Sequence, residues 1–156
     1  MHANEALIDR FYRAFQVRDA AGMARCYHSQ VEFSDPVFPD LRGSEPAAMW
    51  AMLCARATDL AISFGDVQAD DARGRARWEA RYTFTQTGHP VHNVIDAEFE
   101  FRDGLIARHV DRFDFWRWAR QALGPTGLVL GWTPMVRDRV RAIARRGLDA
   151  HMQRRA

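Results

Sequence analysis

Three side chains carry the chemistry this sequence can offer. Asp35 stands directly before a proline in FSDPV, residues 33–37. His109 and Asp111 lie two apart in GLIARHVDRFD, residues 104–114. Side chains at i and i+2 of a strand project to the same face, so the imidazole and the carboxylate meet in one space. An imidazole titrates near neutrality, and a carboxylate beside it can orient it or share its proton, which is the equipment of acid–base catalysis. Each has a simpler use as well. Asp35 before Pro36 can do no more than cap the loop that follows, and His109 with Asp111 can be a hydrogen-bonded core pair. Two ligands do not make a metal site, and no third histidine shares their face, so no metal is expected.

The elements that must hold these residues follow from periodicity. Asn4 is placed to cap a helix running to Val17, with Leu7, Ile8, Phe11, Tyr12 and Phe15 on one stripe. Asp19 restarts a short helix through DAAGMARCYHS, and VEFSDP reads as a brief strand stopped by Pro36. Ser44 caps a third helix with Pro46 in its first turn and Met49, Trp50, Met52 and Leu53 inward. Beyond Ala61 four strands follow, the last extending through FWRW, with turns at Gly88-His89 and around Gly104. GPTGLVLGW is a loop or short apolar segment, and a last helix starts near Thr133-Pro134.

Pairing these strands tests the register. With Thr87 opposite Pro90, Arg81 faces Asp96 and Arg77 faces Glu100; the second hairpin then sets Glu100 against Arg108 and Asp96 against Arg112. Each carboxylate lies between two arginines on one face, a pattern that a one-residue slip destroys. The other face carries the rows Trp78–Phe99–His109, Ala80–Ala97–Asp111, Tyr82–Ile95–Phe113 and Phe84–Asn93–Phe115. Two alanines beside Asp111 leave room above a carboxylate, and a buried charge next to open volume is costly unless water or a guest fills it. Tyr12, Trp50, Trp78, Tyr82, Asn93, Phe99 and Phe113 are core side chains or the walls of an apolar cup. His28, His89 and His92 fall on loops or the outward face.

Composition narrows the class. At 156 residues the chain is one domain, and 47% apolar with 27% charged residues is ordinary for a globular protein. A net charge of +2 gives no overall field for nucleic acid. The charge is uneven: from Arg137 onward seven arginines face only Asp138 and Asp149, a local +5 that leaves the remainder at −3. Val136, Val140, Ile143 and Leu148 line the opposite side, so this tail suits docking on its own domain, on a second subunit or on an anionic surface such as a membrane. Cys26 and Cys54 form no framework and fit a reducing cytoplasm, and the amino terminus lacks the pattern of a signal peptide.

The order of these elements, with LIDRFYRAFQVRD, VEFSDPV and DGLIARHVDRFD, resembles the nuclear transport factor 2-like superfamily over about residues 4–118. That group includes ketosteroid isomerases, limonene epoxide hydrolase and SnoaL-like polyketide cyclases. The resemblance implies an α+β cone, a curved antiparallel sheet wrapped on the amino-terminal helices, here with an extra carboxy-terminal helix over 119–156. It implies a homodimer formed through the sheet. It places the isomerases' proton-shuttling base on Asp35, the hydrolase's catalytic aspartate on Asp111 and a pocket aromatic on His109. The isomerase tyrosine falls on Phe11, its second aspartate near Ala97, and the hydrolase's arginine and partner aspartate on Trp78 and Ala80. Neither parent mechanism transfers whole. What is expected is a cofactor-independent enzyme acting by isomerisation, cyclisation or hydration on a small apolar carbonyl compound. The alternative is a binding or assembly module of the same fold without chemistry.

Overall fold

The computed structural model describes residues 1–56 and 58–155. In chain order the elements are α1 (Ala3–Gln16), α2 (Ala20–Arg25), β1 (Tyr27–Ser34), β2 (Leu41–Arg42), α3 (Glu45–Arg56), β3 (Ala61–Ala69), β4 (Arg73–Phe84), β5 (His89–Arg102), β6 (Leu105–Arg112), α4 (Phe115–Leu123), α5 (Pro125–Leu130) and α6 (Pro134–Arg155). The apolar stripe of α1 is buried as its spacing predicts. Its cap is His2 rather than Asn4: the His2 ring accepts from the Asn4 N–H at 3.0 Å, and the Asn4 amide instead donates to Asp70 O at 3.0 Å. Asp19 caps α2 through the Gly22 N–H.

Six strands form one sheet in the order β2-β1-β6-β5-β4-β3. The hairpins from β3 to β6 are antiparallel as expected, and β1 runs parallel to β6, so the sheet as a whole is mixed. A parallel pair needs a long crossover, and everything from β2 to β5 supplies it. The consequence is that β6, bearing His109 and Asp111, lies between β1 and β5 inside the sheet. Asp66, at φ 54°, sits where the β3–β4 register shifts between Gly65 and Gln68 and bends the strand.

The first long hairpin is displaced from the expected pairing. Arg77 faces Asp96 and Arg73 faces Glu100, because pairing ends at Phe84–His89. Thr87 and Gly88 both donate to Phe84 O, closing a longer turn with Gly88 at φ 73° instead of a two-residue one. The shift is four residues, an even number, so every side chain keeps its face. Each carboxylate is still flanked by two arginines: Asp96 by Arg77 and Arg112, Glu100 by Arg73 and Arg108.

The chain after β6 turns earlier than FWRW as a strand requires. Asp114 accepts from the Arg117 N–H at 3.1 Å and caps α4. Phe115 therefore opens a helix and is not paired with Asn93. GPTGLVLGW contains α5, which crosses α4 so closely that a Cβ on Gly127 would lie 1.8 Å from Ala119 O. On α6, Leu148 is fully buried in the main core with Ala144 and Met152 beside it, and Val140 packs near Trp118 and Val91. Ile143, expected on that stripe, is exposed. Arg141 donates to Pro36 O at 2.8 Å, and Arg145 pairs with Glu45. Thus α6 lies against the loop after β1 and against α3. His28 and His92, expected at the surface, are partly covered and pair with Asp103 and Glu79. No helix among the described residues is long and apolar enough to cross a membrane.

Candidate functional site

The sheet register brings the three candidate residues to one place. His109 pairs with Phe33 on β1 and with Phe99 on β5, and Asp111 pairs with Ala97. The last β1–β6 pair is Ser34–Val110. Asp35 follows directly after this pair, near enough to Asp111 for the charge of one to act on the other.

His109 is fully buried, and the rings of Phe11, Phe33, Trp50 and Phe99 lie 4.5–6.1 Å from it. Its two nitrogens are both engaged, Nδ1 with the Tyr27 hydroxyl at 2.8 Å and Nε2 with Asp111 Oδ1 at 2.8 Å. Trp50 donates its indole N–H to the Tyr27 oxygen at 2.8 Å. The imidazole thus bridges the Tyr27 hydroxyl and the Asp111 carboxyl group. Trp78 donates to the same Oδ1 at 3.3 Å. Asp111 Oδ2 is buried and has no partner among the described residues, and the Tyr12 hydroxyl is likewise unpartnered.

The electrostatics agree with this crowding. Burial pushes Tyr12 well above the ordinary phenol range, and the Asp111 carboxylate adds to it. Burial also raises Tyr27, against the lowering effect of the Trp50 hydrogen bond. Asp35 does cap its loop, as its place before Pro36 allows: Oδ1 accepts from Val37 N at 2.7 Å and Phe38 N at 2.6 Å. Its residue surface is partly open, yet protein atoms crowd the carboxyl. Desolvation is the largest effect on it; the Phe38 N–H lowers and the Asp111 charge raises, and the sum brings Asp35 up to about 7.

The other expected contacts divide by depth. Tyr12, Trp50, Trp78, Asn93 and Phe99 are buried. Tyr82 and Phe113 are partly exposed, and the Tyr82 oxygen accepts from Trp118 of α4 at 2.8 Å. Tyr27 was not among the expected site residues, because the expected second helix ran through it. The signal was present: Tyr27, Val31 and Phe33 share a parity, which is the strand's period. Two surface concavities lie elsewhere. One of about 750 Å³ is lined by Arg73, Arg75, Glu98, Glu100 and Arg108, and one of about 430 Å³ by Asp59, Arg81, Thr83, His92 and Gln121. Neither is lined by Asp35, His109 or Asp111.

Comparison with known proteins agrees with the fold. No curated protein matches the chain. Among solved structures, an NTF2-like protein of unknown function from Burkholderia pseudomallei superposes with a TM-score of 0.67 at 16% identity, covering 78% of this chain and 98% of that one. A limonene-epoxide-hydrolase-like epoxide hydrolase from Mycobacterium tuberculosis gives 0.63 at 19% identity, covering 81% and 92%. IdmH of Streptomyces antibioticus, a candidate polyketide cyclase, gives 0.65 at 18% identity, covering 77% and 98%. At these identities the likeness shows a shared NTF2-like fold. The sequence profile of the SnoaL-like domain matches residues 8–109, about two thirds of the chain and the part that builds the cone, so the protein belongs to the SnoaL-like domain family.

Proposed function

We propose that the protein is a cofactor-independent enzyme that moves a proton on a small, apolar, carbonyl-bearing compound. The observation that carries this is Asp111: one oxygen is held by His109 and Trp78, and the other is buried with no partner among the described residues. A carboxyl group held by one oxygen, with the other left open in an apolar, aromatic-lined interior, has the placement a general base needs. His109 acts here as the group that holds Asp111, since both its nitrogens are already used. Asp35 is the second member of the pair. A carboxyl near 7 beside a second carboxylate can give up or take a proton at neutral pH. Isomerisation, cyclisation and hydration through an enol-like intermediate all need these two roles. The SnoaL-like family, and the fold shared with an epoxide hydrolase and a candidate cyclase, support this reading by analogy.

One observation favours a second reading, a binding or assembly module without turnover. The rings around His109 close tightly, and the two concavities described lie on other parts of the surface. Exchange of solvent deuterium into the α-carbon of a panel of cyclic enones, followed by NMR, separates the two. The wild type should exchange, and Asp111→Asn should lose about 10²–10⁴-fold. Tyr27→Phe should lose less, because it frees His109 Nδ1 without removing the base. Exchange that survives in Asp111→Asn, or that is missing in the wild type while ligand still binds, rules out catalysis by Asp111.

A further inference from the structure

The corner joining α4, α5 and α6 is built unlike the rest of the surface. Val129, Trp132 and Met135 are 63%, 69% and 68% exposed, with Leu128, Leu130 and Trp116 beside them. These side chains form one patch. Trp116 donates its indole N–H to Leu128 O at 3.2 Å, and Trp132 donates to Val129 O at 2.9 Å. The close crossing at Gly127 seats the short α5 directly on α4, with its Leu128–Leu130 side chains at the surface as a knob.

Two features say what this knob meets. Both indole N–H groups are satisfied within the knob, so the rings can enter an apolar phase without stranding a donor. The nearby charge is mostly positive: residues 114–139 hold Arg117, Arg120, Arg137 and Arg139 against Asp114 and Asp138. All four arginines are exposed, and the Arg120 guanidinium stacks 4.2 Å above the Trp116 ring. A second copy of the chain would bring the same positive rim against this one. An anionic bilayer complements it, with tryptophans at the headgroup level and arginines on lipid phosphates.

We propose that this corner docks the protein on the surface of an anionic lipid bilayer. Leu128, Val129, Trp132 and Met135 enter the headgroup boundary, and the four arginines lie in the headgroup layer. The contact is interfacial and reversible, since α5 is a six-residue helix.

The test is co-sedimentation of the full chain with vesicles of phosphatidylcholine alone or with a minority of phosphatidylglycerol. Binding to the anionic vesicles should be at least roughly tenfold tighter and should weaken as salt is added. Tryptophan fluorescence of the wild type should be quenched by brominated acyl chains in those vesicles. Val129→Asp with Trp132→Asp should abolish binding, and Arg120→Glu with Arg137→Glu should abolish the preference for anionic lipid, with circular dichroism melting unchanged in both. The proposal is overturned by absence of wild-type binding and quenching on anionic vesicles, or by binding that persists in the aspartate variant. Wild-type self-association that the aspartate variant abolishes overturns it too, because the knob is then a protein interface.

Discussion

At the residue scale the site is a hydrogen-bonded chain with an open end. Trp50, Tyr27, His109 and Asp111 are linked in sequence, and the chain stops at Asp111 Oδ2, which has no partner among the described residues. A buried polar atom of this kind needs a partner such as a water or a guest. Asp35 differs because its charge is disfavoured by folding. Its folded value of about 7 lies above the ordinary 3.8, so the folded state holds a proton that the unfolded chain has released between those values. Its contribution to stability is therefore full below about pH 4 and is lost as pH rises to about 7, a difference of at most about 4 kcal/mol. Asp35→Asn keeps an oxygen for the Val37 and Phe38 N–H groups and carries no charge. Melting the two proteins from pH 4 to 8 should show the variant gaining on the wild type through that window and holding a constant lead above it. A lead that does not change with pH means Asp35 is not perturbed.

At the scale of elements, α6 holds the loop after β1 in place. Leu148 is fully buried, and Arg141 and Arg145 reach Pro36 O and Glu45 from the same helix. The packing should dominate. Leu148→Ala removes buried atoms and should lower the unfolding free energy by about 2–4 kcal/mol in a urea titration. Arg145→Ala, at a partly exposed pair, should cost less than about 1 kcal/mol. Equal effects would mean α6 is held by its charges. How much of these elements the sequence shows depends on the kind of signal. Leu7 to Phe15 declare α1, and the alternating β4–β6 residues declare which side of the sheet each occupies. That was enough to put His109 and Asp111 on one inward face. The sequence did not show that β1 pairs parallel to β6, because a non-local pairing leaves no local mark. With that pairing hidden, the nearness of Asp35 to Asp111 was hidden too. The β4–β5 displacement went unseen because the arginines of β4 recur every second or fourth residue, so two registers satisfy the same carboxylates.

For the whole molecule, the sheet has two faces with opposite characters. The concave face is aromatic and closed by α1 and α3. The outer face is a ladder of ions: Arg77 meets Asp96 at 2.9 Å, Arg108 meets Glu100 at 3.1 Å, and Arg112 meets Glu98 at 2.6 Å. Stable interfaces are depleted of charge at their centres, so a homodimer formed through this face must rest on re-paired ions more than on apolar burial. Exposed pairs are screened once the Debye length falls below their separation, about 3 Å at 1 M salt. Light scattering of the full chain should therefore show the dimer mass at low salt, moving toward the monomer as salt rises, and Asp96→Arg with Glu100→Arg should give a monomer at any salt. The α5 knob holds none of the ladder residues, so Val129→Asp should leave a ladder-mediated dimer intact. A dimer indifferent to salt and to the charge reversals would place the subunit contact away from the ladder and leave the outer face as solvated surface.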